Sequence, residues 1–468
     1  MPKASIPNRP APDIGSRSLL AGLGILFSPV AASALIHIGS SDHLLPSTVP
    51  GTDHLGRRVG ELQIRGAPGF LGTPIGPRHF VTAAHIVFAV GDPFFFQGHT
   101  FTVTGRTLLP NSDLALATVD ADFPEYSELY ERDDEVRRPV VVLGKGRWKG
   151  DPVVVEGVLK GWRYAETGVA GIRWGTNLIT GSITSTNTAP GELAGAFLTA
   201  DFDRAGGDDE VHFTVGDSGS PLFLSDCGVW KLAGVASAVD GPFRPTDAPQ
   251  VTPFLAALFD VGGLTLVPEK EPPTAYPVLP EPQPTGWYAA RISSKVDQLR
   301  ALAGLPNPAV ASKVADVFAP LSAQGTAAVS LSVAGVACVD DRSQAGAAVT
   351  WDGMTARYSA SVPGPNIDAF RYVVANDDAR SGWASVYVVD LSSVGTTPIL
   401  RFCPDGTPVL LWPLGSQSAV AGLEVGPTPA GPWDRTATVP QVLEGVALYP
   451  DPVGREQSGR FYRLVLSE

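Results

Sequence analysis

Apolar residues of this chain recur in short runs, many of them alternating with polar residues, and glycine, asparagine and aspartate separate the runs. Alternation with a period of two is typical of β-strands that bury one face. Strands of about five residues suit antiparallel barrels better than long helices. The first part of the chain is therefore predicted to be all-β, with strands at 100–107, 114–119, 140–143, 153–161, 171–174, 193–200, 222–224 and 232–238.

Residues 70–85 predict a hairpin, because a tight turn at Gly76-Pro77 separates two strand-like runs, the second of which ends at His85. A helix is predicted near 295–302, since Ile292, Val296 and Leu299 fall on one helical face.

The first 36 residues indicate an export signal. Lys3, Arg9 and Arg17 precede an apolar run at 19–36, which ends near the small residues Ala-Ser-Ala at 32–34. This pattern predicts a cleaved signal peptide and secretion to the extracellular space or the periplasm. Because the run approaches the ~18 residues that span a bilayer, a retained membrane anchor is the alternative.

Composition narrows the possible fold classes and partners further. A chain of 468 residues is too long for one ordinary domain, and 51 glycines and 43 prolines with only 17% charged residues favour strands and turns. The net charge of −13 argues against nucleic acid and anionic membrane surfaces as partners. The sequence carries no H-E-x-x-H metal motif and no glycine-rich nucleotide motif, so no metal and no cofactor is predicted.

Residues 216–221 read Gly-Asp-Ser-Gly-Ser-Pro, a sharp turn that presents the hydroxyl of Ser218. A serine hydroxyl needs an adjacent base, and His85, in Val-Thr-Ala-Ala-His, has the side chain that titrates nearest neutral pH. Asp113, in Ser-Asp-Leu-Ala-Leu, lies between them in sequence. Each also has a structural interpretation, as a core histidine, a turn aspartate and a turn serine.

Thr-Ala-Ala-His, Asp-Leu-Ala-Leu and Gly-Asp-Ser-Gly-Ser-Pro, in this order, resemble the trypsin-like serine proteases of the chymotrypsin fold. The resemblance covers residues 59–303 and implies a double antiparallel β-barrel with a C-terminal helix, spanning 37–303. It makes His85 the general base, Asp113 its orienting partner and Ser218 the nucleophile. The backbone N–H groups of Gly216 and Ser218 would form the oxyanion hole. Animal members staple the histidine loop with a cysteine pair, whereas no cysteine is near His85.

The same resemblance implies substrate-binding residues. Ser237 would buttress Asp113, and Ser237, Ala238 and Val239 would pair with the substrate backbone. His212 stands where the family has the base of its primary specificity pocket. Trypsin-like enzymes carry aspartate there, so cleavage after lysine or arginine is not implied; a histidine would favour an acidic or polar side chain.

Two segments leave alternatives open. The proline-rich stretch at 240–285 has an extended, linker-like second half, but Gly-Trp-Tyr-Ala-Ala-Arg-Ile-Ser at 286–293 is similar to the final strand of the family, which indicates an insertion within the protease domain. The alternative is a linker followed by a separate helix. Arg-Arg-Val-Gly at 57–60 resembles an activation site, with an exposed basic turn as the favoured alternative.

Two C-terminal modules are predicted to be small β-sandwiches. Residues 304–392 resemble bacterial immunoglobulin-like repeats, which end with paired strands such as 368–374 and 384–389. Residues 396–468 are weakly similar to fibronectin-III-like modules, with strand patterns at 409–413 and 422–425.

The sequence thus predicts a secreted, monomeric serine endopeptidase that acts on a protein or peptide and attaches to a surface or polymer through its C-terminal modules. The alternative is a non-catalytic secreted adhesion or binding protein built on a protease-like barrel. An esterase of the α/β-hydrolase type is disfavoured, because the order histidine, aspartate, serine is not that of this fold.

Overall fold

The computed structural model describes residues 35–39, 43–49, 51–64, 67–166, 171–185, 194–226, 228–268, 272–305, 316–331, 336–340, 343–360, 366–376, 379–392, 394–404, 407–415, 420–436, 440–451 and 460–466. Nearly all of the predicted export signal lies outside these residues. The chain divides into two compact units, with the boundary after Leu305.

The described residues of the first unit are all-β apart from two short 3-10 helices, Leu55–Arg58 and Ser293–Lys295, and the helix α1, Val296–Ala303. Its strands are β1 Ile36–His37, β2 Gly60–Ile64, β3 Ala67–Gly76, β4 His79–Ala83, β5 Pro93–Phe96, β6 His99–Leu108, β7 Leu114–Val119, β8 Pro139–Gly144, β9 Lys149–Val155, β10 Val158–Tyr164, β11 Arg173–Leu178, β12 Gly181–Ser185, β13 Gly195–Asp201, β14 Val211–His212, β15 Pro221–Asp226, β16 Val229–Val239, β17 Phe243–Pro245, β18 Ala256–Leu258, β19 Leu264–Leu266, β20 Thr274–Ala275 and β21 Gly286–Arg291.

A closed barrel contains six strands in the order β2-β3-β4-β7-β6-β5. Aromatic side chains fill it: Phe80 stacks on Phe94 with ring centroids 3.9 Å apart, and Phe123 meets Phe94, Phe96 and Phe101 at steeper angles. Closing the sheet leaves no exposed strand edge and fixes where each strand ends.

A seven-stranded sheet, in the order β11-β8-β15-β16-β21-β13-β12, lies beside the barrel. Its central strands are buried on both faces. Val141 and Leu143 join the hydrophobic cluster that also fills the barrel, whereas Val140 and Val142 belong to a second cluster on the opposite face. Burial on both sides explains why 140–143 is an unbroken apolar run.

One predicted strand was wrong. Residues 153–161 form the end of β9 and the start of β10, and Val155 pairs with Val158 across a two-residue turn. Glu156 and Gly157 both have positive φ, 50° and 79°, which a continuous strand does not allow.

The described part of the proline-rich stretch contains four short strands. Two of them, β19 and β20, lie in its second half, where the sequence predicted an extended linker, and that prediction is wrong for these two strands. β17, β19 and β20 form a small sheet, and β18 pairs with β10. Phe243, Leu258 and Leu264 bury themselves against Val153 of β9. The chain then returns as β21 between β16 and β13, and the insertion within a protease domain stays a prediction.

The second unit contains β22 Val317–Pro320, β23 Thr326–Ser330, β24 Val336–Val339, β25 Ala348–Trp351, β26 Thr355–Ser359, β27 Ile367–Asn376, β28 Ala379–Val389, β29 Ile399–Phe402, β30 Pro408–Pro413, β31 Val420–Gly426, β32 Asp434–Arg435, β33 Gln441–Leu443, β34 Val446–Pro450 and β35 Phe461–Leu466. One hydrophobic cluster joins Ile367 and Val389 to Val409 and Leu448, so the two predicted modules share a core. The family assignments of the modules stay predictions.

Within the described residues, no helix is both long and apolar enough to cross a bilayer.

Glu135 anchors the C-terminal end of the first unit, and its replacement tests the packing there. Its side chain has no exposed surface, accepts a hydrogen bond from Nε of Arg291 at 2.9 Å and accepts another from Ser293 at 2.6 Å. Glu135→Ala leaves a buried guanidinium without its main counter-charge, and we expect the free energy of unfolding to fall by about 3–5 kcal/mol in denaturant titrations.

The matched control is Asp122→Ala, which breaks the exposed ion pair with Arg78 and is expected to leave the free energy of unfolding nearly unchanged. Equal losses for the two variants would contradict the structural role given to Glu135.

Candidate active site

His85 and Asp113 meet because of strand register. β4 pairs with β7 so that Ala83 lies opposite Leu114, and the residues just beyond these two strand ends become neighbours. The backbone N–H of His85 donates to Oδ1 of Asp113 at 2.9 Å, and Nδ1 of His85 lies 2.8 Å from Oδ2. The carboxylate thereby fixes both the backbone and the ring of the histidine.

Ser218 reaches the same histidine from the seven-stranded sheet. It lies in the loop between β14 and β15, and its Oγ is 2.7 Å from Nε2 of His85. Ser237, on β16, donates its hydroxyl to Oδ2 of Asp113. The three predicted catalytic residues and the predicted buttress thus form one continuous hydrogen-bonded chain.

The charges and burial of these hydrogen-bonded residues make the imidazole of His85 more basic. Asp113 is buried, with 3% of its side chain exposed, whereas 27% of the His85 side chain is exposed. Burial lowers the pKa of His85, but the charge of Asp113 and the hydrogen bond to it outweigh burial and raise the pKa above its ordinary value of 6.5.

The loop around Ser218 leaves two N–H groups unoccupied. The N–H groups of Asp217, Gly219 and Ser220 donate to Thr214, Ala236 and Asp217 in turn. Within the described part of the chain, the N–H groups of Gly216 and Ser218 donate to no acceptor. These are the two groups predicted for the oxyanion hole.

Two glycines allow this geometry. Gly216 and Gly219 have φ of 101° and 84°, values that residues with a side chain rarely adopt. A Cβ atom at Gly219 would also lie 2.2 Å from the carbonyl oxygen of Leu71 and 2.3 Å from Oγ1 of Thr82. The serine loop therefore packs directly on the barrel strands that lead to His85.

The side chain of Asp217 anchors the serine loop by hydrogen bonds, and Asp217 has no exposed surface. Its Oδ1 accepts from the N–H groups of Lys145 at 2.8 Å and Gly146 at 2.6 Å, and its Oδ2 accepts from the N–H and hydroxyl of Thr214 at 2.7 and 2.8 Å. Burial raises the pKa of Asp217 to about 6, although these hydrogen bonds oppose the shift.

The four hydrogen bonds of Asp217 come from backbone and hydroxyl groups rather than from an α-amino group. Arg57 and Arg58 lie in the 3-10 helix before β2; Arg57 is exposed and Arg58 pairs with Glu125 at 3.2 Å. Val59, which an activating cut would free, is 6% exposed. This arrangement favours the basic-turn interpretation.

His212 has no exposed surface, so no substrate atom can touch it in this structure. Its Nδ1 lies 2.5 Å from the carbonyl oxygen of Phe213, and its ring packs edge-on against Phe202 with centroids 5.6 Å apart. Burial lowers its pKa to about 4. A direct contact between His212 and a substrate side chain therefore stays a prediction, and it would require the residues that cover His212 to move.

Ser237, Ala238 and Val239 are half-buried at the end of β16, and Ala238 and Val239 pair with β21 on one side.

Sequence reasoning missed the backbone groups of Lys145 and Gly146 and the side chain of Thr214, because their importance comes from long-range contacts to Asp217. Within the described residues, no group of three or more histidine, cysteine, aspartate or glutamate side chains is placed to hold a metal ion.

No protein-family model matches this chain, and no curated protein does either.

Asp217→Asn tests the anchor of the serine loop. The asparagine amide has the size of the carboxylate, but its NH₂ group replaces an oxygen that accepts hydrogen bonds from N–H groups. Two donors would then face each other. We expect the N–H groups of Gly216 and Ser218 to shift. If Ser218 is the nucleophile that the sequence predicts, its reaction should slow by about 10²–10³-fold, the usual effect of losing one oxyanion donor.

The control is Asp151→Asn at an exposed position of β9, which is expected to behave as the wild type. Unchanged turnover in Asp217→Asn, with an unchanged melting temperature, would contradict the anchoring role.

Proposed function

We propose that this chain is a serine endopeptidase that hydrolyses peptide bonds through an acyl-enzyme. The observation that carries the proposal is the hydrogen-bonded chain Asp113–His85–Ser218 next to two unoccupied N–H groups. Neither the hydrogen-bonded residues nor the two N–H groups would indicate this reaction alone, but together they supply a base, a nucleophile and an oxyanion site.

Each residue has a defined task in the proposed reaction. Nε2 of His85 takes the Ser218 proton as Oγ attacks the carbonyl carbon, and the N–H groups of Gly216 and Ser218 stabilise the oxyanion. His85 then gives the proton to the leaving amine, and the C–N bond breaks to leave an acyl-enzyme. A water, deprotonated by His85, attacks the ester; the bond between the acyl carbon and Oγ then breaks, His85 returns the proton to Ser218, and the carboxylic acid leaves. Asp113 stabilises the imidazolium whenever it forms.

The arrangement of strands supports a chymotrypsin-like double barrel. The closed barrel supplies His85 and Asp113, and the seven-stranded sheet supplies Ser218 and Ser237. In this proposal the sheet belongs to the second barrel, the reacting groups lie where the two meet, and a peptide pairs with the end of β16 at 237–239.

The proposal includes location and attachment. The predicted export signal places the enzyme outside the cytoplasm, and the second unit, with its immunoglobulin-like and fibronectin-III-like modules, attaches the enzyme to a surface or polymer. These parts rest on sequence resemblance.

A fluorophosphonate probe tests the proposal on the full chain, because it phosphonylates only an activated serine. We expect labelling of the wild type, none of Ser218→Ala, and a peptide-library profile that shows internal cleavage. Ser220→Ala is the matched control: its hydroxyl is buried in the same loop and has no hydrogen-bond partner among the described residues, so the variant should label normally. A folded wild type that does not label would favour the non-catalytic binding protein.

The pH dependence gives a second test. Because Asp113 raises the pKa of His85 above 6.5, and only the neutral imidazole can accept the Ser218 proton, kcat/KM is expected to rise with pH through a midpoint above 6.5. In Asp113→Asn the charge is lost, so the midpoint of the residual activity should move to lower pH, and kcat should fall by about 10⁴-fold. A wild-type midpoint at or below 6.5 would contradict this assignment of the base.

A further inference from the structure

Arg106, on β6 of the closed barrel, takes no part in the mechanism above, yet it touches the backbone on both sides of His85. Its Nη2 donates to the carbonyl oxygen of Ala84 at 2.7 Å and to that of Ile86 at 3.1 Å. A single guanidinium nitrogen thus bridges the two residues that flank the proposed base.

The peptide groups around His85 show what Arg106 adds. The N–H groups of Ala84 and His85 donate to Asp113, and the N–H of Ile86 donates to Ala83. The carbonyls of Ala84 and Ile86 point the other way and accept from Arg106. The turn is therefore held on its donor side mainly by Asp113 and on its acceptor side by Arg106.

Backbone hydrogen bonds from Gly91 to Val103 and from Asp92 to Ala89 hold the far end of the loop after His85, and apolar side chains anchor its start. Ile86 and Phe88 are buried, whereas Val87 and Val90 are 71% and 66% exposed. The guanidinium carbon of Arg106 lies 4.9 Å from the centroid of the Phe88 ring, so the same side chain also covers one of the two apolar anchors.

We propose that Arg106 is a positioning residue: it fixes the peptide groups on both sides of His85 and so keeps the imidazole between Asp113 and Ser218. A planar, permanently charged guanidinium can stack on a ring while donating in its own plane, which a glutamine or a lysine cannot reproduce in full. The inference rests on the proposed function, because it assigns Arg106 to the same site.

The variants are Arg106→Gln, Arg106→Lys and the control Arg78→Gln, which removes a charge from an exposed turn of the same barrel. For each full-length variant, active sites are titrated first, and then kcat, KM and the fluorophosphonate labelling rate per titrated site are measured. We expect Arg106→Gln to lower kcat and the labelling rate by about 10- to 100-fold with little change in KM. Arg106→Lys should recover part of the loss, and Arg78→Gln should match the wild type.

A purely structural role predicts a different outcome. In that case Arg106→Gln lowers the melting temperature or the number of titrated sites, but each remaining site reacts at the wild-type rate, and this result overturns the inference. If Arg106→Gln does not fold, Arg106→Lys is used in its place, and a wild-type rate per site overturns the inference equally.

An NMR measurement separates failure of this inference from failure of the proposed function. The downfield Nδ1–H resonance of His85 needs no turnover, and it should broaden or shift in Arg106→Gln but not in Arg78→Gln. An unlabelled wild type would contradict the proposed function alone, whereas an unchanged resonance in Arg106→Gln would overturn the role of Arg106.

Discussion

The buried carboxylate of Asp113 is the interaction on which the rest of the site depends. It accepts hydrogen bonds from the backbone and ring of His85 and from the hydroxyl of Ser237. A carboxylate this deeply buried is stable only when several donors compensate for lost water. The donors come from the barrel and from the seven-stranded sheet, so satisfying one charge also fixes how these two sheets meet beside Ser218.

A second buried carboxylate, Asp217, fixes the serine loop by accepting hydrogen bonds, as Asp113 fixes the backbone and ring of His85. Its hydrogen-bond partners among the described residues are backbone and hydroxyl groups, and none of them is the charged group of an arginine or lysine. Neutral donors leave the charge only partly compensated, which agrees with a pKa raised to about 6. The loop is thus shaped by internal hydrogen bonds that form when the strands assemble, and the N–H groups of Gly216 and Ser218 are left over because their neighbours take the available acceptors.

Local patterns in the sequence predicted the elements that carry this site. β7 begins and ends where alternation placed it, at 114–119, and the strand–turn–strand leading to His85 is present. The hairpin at Glu156-Gly157 was missed because apolar residues continue on both sides of the turn. The contacts of Arg106 and of Lys145 and Gly146 leave no local pattern, since a side chain that donates to distant carbonyls, or a backbone N–H that reaches Asp217, can be recognised only after the strands are placed.

The burial of His212 bears on how a peptide could be selected. Attraction of an acidic side chain would require an imidazolium, but the pKa of about 4 keeps this ring neutral near pH 7. Protonation there would also place a charge among Tyr164, Phe202 and buried backbone groups, and no carboxylate of the described residues is hydrogen-bonded to the ring. Any influence of His212 on peptide selection is therefore that of a neutral, fully buried side chain, which shapes neighbouring residues rather than attracting a substrate charge.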